Sequence, residues 1–121
     1  MSKKYRILLV EDDDGVRLSL RDYLKARSYT VFVASDGVGA IKIMLDHHVD
    51  IIVTDYRMSV FGGDYWVRFL HEFCKDKFVI VSSGFVRPDF SIPFEVLQKP
   101  FEYSSLEEKL REYIETLENK T

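Results

Sequence analysis

Four short apolar runs punctuate the chain, at residues 7–10, 31–34, 51–54 and 78–81. Rich in Val and Ile and barely alternating with polar residues, they predict strands buried on both faces, and hence a parallel sheet. A weaker fifth run, Val96 and Leu97, precedes "QKPF". Helical spacing fills the intervals. Val16, Leu20, Tyr23 and Leu24 share one face, and Ala40, Ile41, Met44 and Leu45 a second. Tyr65, Trp66, Phe69, Leu70 and Phe73 form a third stripe, and Leu106, Leu110, Tyr113, Ile114 and Leu117 a fourth. Ser104 with Glu107, or Ser105 with Glu108, is expected to cap the last helix. Strands alternating with helices imply right-handed crossovers and a doubly wound α/β sheet. In such sheets ligands sit beyond the carboxyl ends of the strands.

One helical unit is short of residues. Only residues 84–98 separate Ser83 from Lys99, whereas a helix of ~11 residues, a strand of ~5 and two loops need roughly 20. Pro88 and Pro93 interrupt the same stretch, and a proline inside a helix costs ~3 kcal/mol. The helix between the fourth and fifth strands is therefore expected to be absent or reduced to a turn.

Composition narrows the classes. The 121 residues suit one domain spanning 1–121; 46% are apolar and 31% charged, as in a soluble globular protein. A net charge of -3 argues against a phosphate-backbone footprint, so no direct nucleic-acid binding is expected. No apolar run is long enough to cross a bilayer and no leader is recognised, so a cytoplasmic location and no membrane contact are expected. Cys74 is the single cysteine, which excludes a disulfide framework or a thiolate cage.

Candidate chemistry gathers at the strand ends. Glu11 and Asp12 follow the first strand, Asp55 the third, Ser83 the fourth and Lys99 the fifth. Crowded acids repel one another, and a hard divalent cation such as Mg²⁺ relieves that repulsion while keeping them ionised. A hydroxyl and an ammonium opposite the cation suit the oxygens of a phosphoryl group. In that setting Asp55 is a candidate carboxylate nucleophile and phosphoryl acceptor.

Over essentially its whole length the chain resembles a response-regulator receiver domain of two-component signalling, of the chemotaxis-type single-domain kind. The resemblance rests on "ILLVEDDDGVR", "DIIVTDYRM" followed by "GG", "VIVSSGF" and "LQKPF", in that order. It implies a flavodoxin-like, five-stranded parallel sheet of order 2-1-3-4-5, here with its fourth helix absent or degenerate. It also implies Mg²⁺ held by Glu11, Asp12, Asp55 and the backbone carbonyl of Arg57. Asp55 matches the phosphorylated aspartate, Ser83 the hydroxyl residue beside the phosphoryl group, and Lys99 the lysine before a proline, with a cis Lys99–Pro100 bond. A histidine kinase or phosphotransfer protein is the implied donor, and a downstream protein target the output. No further catalysis is expected beyond the domain's own phosphorylation and dephosphorylation. The departures are Ser59 in place of proline, Gly62 and Gly63 in place of Asp-Gly, and Val96 in place of the family's switch aromatic.

Plainer readings stand beside these. Asp13 or Asp14 is the expected cap of the first helix. "DDDG" lacks the alternate ligands and terminal Glu of a calcium loop. Ser82 rivals Ser83. His47 and His48 read as a solvated helix end, and Cys74 as a half-buried helix residue. Arg57 and Phe85 are expected to flank the phosphoryl position and limit the approach of water. Phe85, Phe90, Phe94, Phe101 and Tyr103 are expected to plug the gap left by the missing helix. The alternative is an exposed patch, used by a partner or by a second copy in a homodimer. A receiver-like interaction module independent of phosphorylation is one rival function. A Mg²⁺-dependent phosphatase is the other, weakened by Arg57 where a second acid would stand.

Overall fold

Residues of one strand serve two cores. Ile7 and Leu9 pack among Leu20, Leu24, Ile51, Val53, Ile80, Leu106 and Leu110, while Leu8 and Val10 pack among Ala40, Ile52, Trp66, Val67, Leu70, Val79 and Val81. Successive side chains of a strand point to opposite faces, so an unbroken apolar run requires helices on both sides of the sheet. The computed structural model describes residues 5–58, 60–84 and 92–119, with this arrangement.

The elements run β1 (Arg6–Val10), α1 (Asp14–Lys25), β2 (Thr30–Ala34), α2 (Gly37–Asp46), β3 (Ile51–Asp55), α3 (Gly63–Phe73), β4 (Phe78–Ser83), β5 (Glu95–Gln98) and α4 (Tyr103–Glu118). All strand pairings are parallel, in the order β2-β1-β3-β4-β5. Helices α1 and α4 contribute to one core, and α2 and α3 to the other. The fold class is thus the flavodoxin-like, doubly wound sheet that the pattern implies. A fourth helix in chain order is present, but it follows β5. Among the described residues no helix lies between β4 and β5; the expected loss of a helix there falls mainly on residues 85–91, outside the described residues.

Local chemistry sets the ends of these elements. Asp13 caps α1, its Oδ1 accepting from the Val16 N–H at 2.9 Å, and Asp36 caps α2 through the Gly39 N–H at 2.8 Å. The serine cap expected for α4 is corrected: Glu102 holds the N-cap position with its backbone carbonyl, which accepts from the Ser105 N–H, and no side chain caps the helix. Glu107 is instead occupied by Arg111 and the Tyr29 hydroxyl.

Helix faces also shift from the expected stripes. In α3 the buried residues are Trp66, Val67 and Leu70, with Cys74 just beyond, while Tyr65 and Phe73 are 73% and 71% exposed. Leu45 of α2 is likewise exposed. Apolar neighbours in sequence cannot all face the sheet, and the side chains nearest the strands win the buried arc.

The loop after β3 is pinned to α2 at a point of close approach. The Gly37 N–H donates to the Val60 carbonyl, and a Cβ on Gly37 would stand 2.3 Å from the Phe61 carbonyl oxygen and 2.7 Å from its ring. Phe61 itself has a φ of 46°, a left-handed conformation held by its packing on Trp66 and Phe69. Gly37→Ala is expected to destabilise the protein by about 2 kcal/mol, the usual scale of overpacking, as read by urea denaturation.

Candidate functional site

Parallel strands deliver their carboxyl ends to one edge. Val10 is the register partner of Thr54, Asp55 of Ser82, and Ser83 of Gln98, so Glu11, Asp55 and Lys99 emerge beside one another. The connections stay in ladder: the Glu11 N–H donates to the Ala34 carbonyl and the Lys99 N–H to the Ser83 carbonyl.

Glu11 and Asp55 are buried, whereas Asp12 is exposed. A carboxylate oxygen from each of the three lies within 4.8 Å of the others. The Lys99 ammonium donates to Glu11 Oε1 at 3.0 Å and stands 3.2 Å from Asp55 Oδ1. Glu11 Oε2 also accepts from the Asp13 N–H, and Arg17 donates to the Glu11 carbonyl. Three carboxylates against one ammonium leave two negative charges, the complement of one divalent cation. Carboxylate oxygens are the donors a hard divalent cation such as Mg²⁺ takes, so the chemistry of the donor set fits that ion.

The electrostatics follow from this crowding. Burial, reinforced by the Glu11 charge, pushes the Asp55 carboxyl up to about 6, against the opposing pull of Lys99. Burial disfavours the charged Lys99 ammonium, but Glu11 and Asp55 outweigh it and hold its pKa above the usual lysine value.

Asp55, Arg57, Ser83, Gly84 and Lys99 line a cleft of about 290 Å³. Ser83 therefore faces the site. Its rival Ser82 pairs with Asp55 inside the sheet, where its carbonyl accepts the Tyr56 N–H. Arg57 is exposed on the cleft wall, and Phe85 lies outside the described residues. Among the acids after β1, Asp13 is taken by the cap and Asp14 pairs with Arg17.

A chain of buried polar contacts that the sequence reading missed runs beneath Asp55. Trp66 Nε1 donates to Thr54 Oγ1 at 2.8 Å, and Thr54 Oγ1 to the Asp55 carbonyl at 3.0 Å. A tryptophan within an apolar stripe reads as packing, and nothing in sequence pairs it with a strand threonine.

Comparison with known proteins agrees with this geometry. Residues 7–111 match the response regulator receiver domain family. The chain belongs to that family. It is 37% identical to the sensor kinase CckA of Brucella abortus over 95% of this chain and 13% of that protein. It is 25% identical to the transcriptional regulatory protein YxdJ of Bacillus subtilis over 90% of this chain and 50% of that protein. The chain thus spans half or less of these relatives. Among solved structures, the receiver domain of the hybrid histidine kinase CckA superposes with a TM-score of 0.74 at 28% identity, covering 88% of this chain and 96% of that one. A CheY-like receiver domain from Methanospirillum hungatei JF-1 shares the fold, with a TM-score of 0.87 at 19% identity over 98% of this chain and 100% of that one.

As a receiver domain, the chain keeps a cis Lys99–Pro100 bond and has Val96 on β5, 44% exposed. His47 ends α2 and stacks on Phe32, and exposed His48 contacts Asp50. Cys74 is corrected from half-buried helix residue to the buried cap just after α3, where the last turn folds onto the core. Of the aromatics expected to fill the β4–β5 gap, Phe94 packs on the α2–α3 core and Phe101 and Tyr103 on the other, all half-buried; Phe85 and Phe90 lie outside the described residues. No helix among the described residues is long and apolar enough to cross a membrane.

The raised pKa of Asp55 has a sign that can be checked. Relative to the unfolded chain, the folded metal-free protein favours the protonated carboxyl, so this group's contribution to stability is present near pH 4 and lost as pH rises through about 6, where the carboxyl ionises. Asp55→Asn removes that loss. It is expected to raise the melting temperature of the metal-free protein at pH 7 by roughly 5 °C, the equivalent of about 1 kcal/mol, with little effect at pH 4, as read by calorimetric scans.

Proposed function

We propose that this receiver domain accepts a phosphoryl group on Asp55 in a Mg²⁺-dependent step and signals through a protein partner. The observation that carries the reading is the meeting of Asp55 with Glu11 and Asp12, carboxylate oxygens within 4.8 Å of one another, beside the Lys99 ammonium at 3.2 Å. Glu11, Asp12, Asp55 and the Arg57 backbone carbonyl would hold the ion. When bound, it supplies positive charge for the phosphoryl oxygens as they pass between donor and acceptor.

The protein's own groups do the rest. An Asp55 carboxylate oxygen attacks the phosphorus, an O–P bond forms, and the N–P bond of a phosphohistidine breaks with its electron pair remaining on the imidazole. Lys99, already within 3.2 Å of Asp55 Oδ1, is placed to move its hydrogen bond onto a phosphoryl oxygen. Ser83, on the wall of the same cleft, offers a hydroxyl to another. Catalysis of this kind is positioning and electrostatics, with little covalent work for the protein. The donor is a histidine kinase or phosphotransfer protein, the setting is cytoplasmic, and the phosphorylated surface is read by a downstream protein.

Exposed Val96 on β5 favours a second reading, an interaction module that keeps the site without switching through a β5 aromatic. Treatment with acetyl phosphate and Mg²⁺, followed by intact-mass measurement, separates the two. The proposal predicts one phosphoryl group on the wild type and none on Asp55→Asn; an unlabelled wild type supports the module, and catalytic turnover of acetyl phosphate would support a phosphatase. Arg57→Ala is expected to shorten the lifetime of the acyl phosphate by opening the cleft to water, measured as decay of the labelled mass.

A further inference from the structure

The contact of Asp55 with Thr54 is backbone chemistry, separate from the charged side chains above it. Thr54 and Trp66 are both fully buried. A hydroxyl carries one hydrogen and two lone pairs. With the Trp66 N–H directed at the Thr54 oxygen, the hydroxyl hydrogen is left to the Asp55 carbonyl. The peptide joining Asp55 to Tyr56 is thereby gripped on both edges, its C=O by Thr54 and its N–H by the Ser82 carbonyl at 2.9 Å. The next carbonyl, of Tyr56, accepts the Gly63 N–H at 2.7 Å. Trp66 has no room to swing: its ring stacks on Phe69 with planes 10° apart and meets the edge of Phe61.

We propose that Thr54 and Trp66 are a positioning pair for the phosphoacceptor. They lock the peptide that follows Asp55, and with it the direction of the Asp55 carboxylate and of the Arg57 carbonyl two residues on. The inference rests on the reading of Asp55 as phosphoryl acceptor and Mg²⁺ ligand. A tryptophan N–H buried merely for packing needs some acceptor, and any backbone carbonyl would serve. Here the acceptor is a buried side chain whose own hydrogen ends on the Asp55 backbone carbonyl.

Thr54→Val, Trp66→Phe, the double variant and Thr54→Ser distinguish positioning from packing. Stability is read by urea denaturation, the rate of Asp55 labelling by acetyl phosphate at saturating concentration, and Mg²⁺ affinity by titration calorimetry. Removing the Thr54 hydroxyl alone strands the buried Trp66 N–H as well as freeing the Asp55 carbonyl, so Thr54→Val lowers stability more in the wild-type background than in Trp66→Phe. Positioning predicts a different pattern for the chemistry: the labelling rate falls about fivefold in Thr54→Val and in the double variant alike, the equivalent of one net hydrogen bond. Mg²⁺ binding weakens in parallel, and Thr54→Ser restores both. A double variant that labels and binds Mg²⁺ like the wild type overturns the proposal. Should the wild type itself fail to label, the acceptor reading falls, and the calorimetric arm still decides the pair: weaker Mg²⁺ binding in the double variant supports it, unchanged binding overturns it.

Discussion

Negative charge collected at the carboxyl edge of a parallel sheet is the constraint on which this protein turns. Glu11 and Asp55 are buried side by side, Asp12 completes the group, and the Lys99 ammonium lies between the first two. Buried like charges are costly, and the cost appears directly as an Asp55 carboxyl pushed up to about 6. A fold that only had to be stable would gain by replacing these groups. The rest of the architecture holds them in place: two cores fix β1 and β3 from both faces, and the β4–β5 ladder brings Lys99 to the same point from 88 residues away.

Rigidity around the site is unevenly distributed. The loop after β3 is tied at its neck by Tyr56 and Gly63, and at its tip by Gly37 against Val60 and Phe61. From below, the Thr54–Trp66 pair reaches the backbone of Asp55 itself. Val96 on β5 is exposed, and half-buried Phe94 packs on one core while Phe101 and Tyr103 pack on the other.

Much of this was legible in sequence because two periodicities and one charge cluster carry it. Runs such as "ILLV" and "DIIVTD" admit only strands covered on both faces, so the doubly wound sheet followed, and with it the shared edge of Glu11, Asp55 and Lys99. The finer errors have physical causes. Tyr65 and Phe73 were placed on the buried stripe of α3, but the arc facing the sheet is narrow and Val67 and Cys74 occupy it. The serine cap of α4 gave way to a backbone contact from Glu102 because Glu107 is drawn to Arg111 and Tyr29, a tertiary preference invisible in local sequence. The Thr54–Trp66 contact was missed for the same reason: twelve residues separate the partners, and only the packed α3 brings them together.

Direct titration of the metal-free protein with Mg²⁺ by calorimetry at pH 7.5, run beside Asp55→Asn and Asp12→Asn, tests the central claim most directly. The account predicts one ion per chain, with binding abolished or weakened by at least about tenfold in either variant, since each removes a charged oxygen ligand. Binding of equal strength in all three proteins, or none in the wild type, would contradict it.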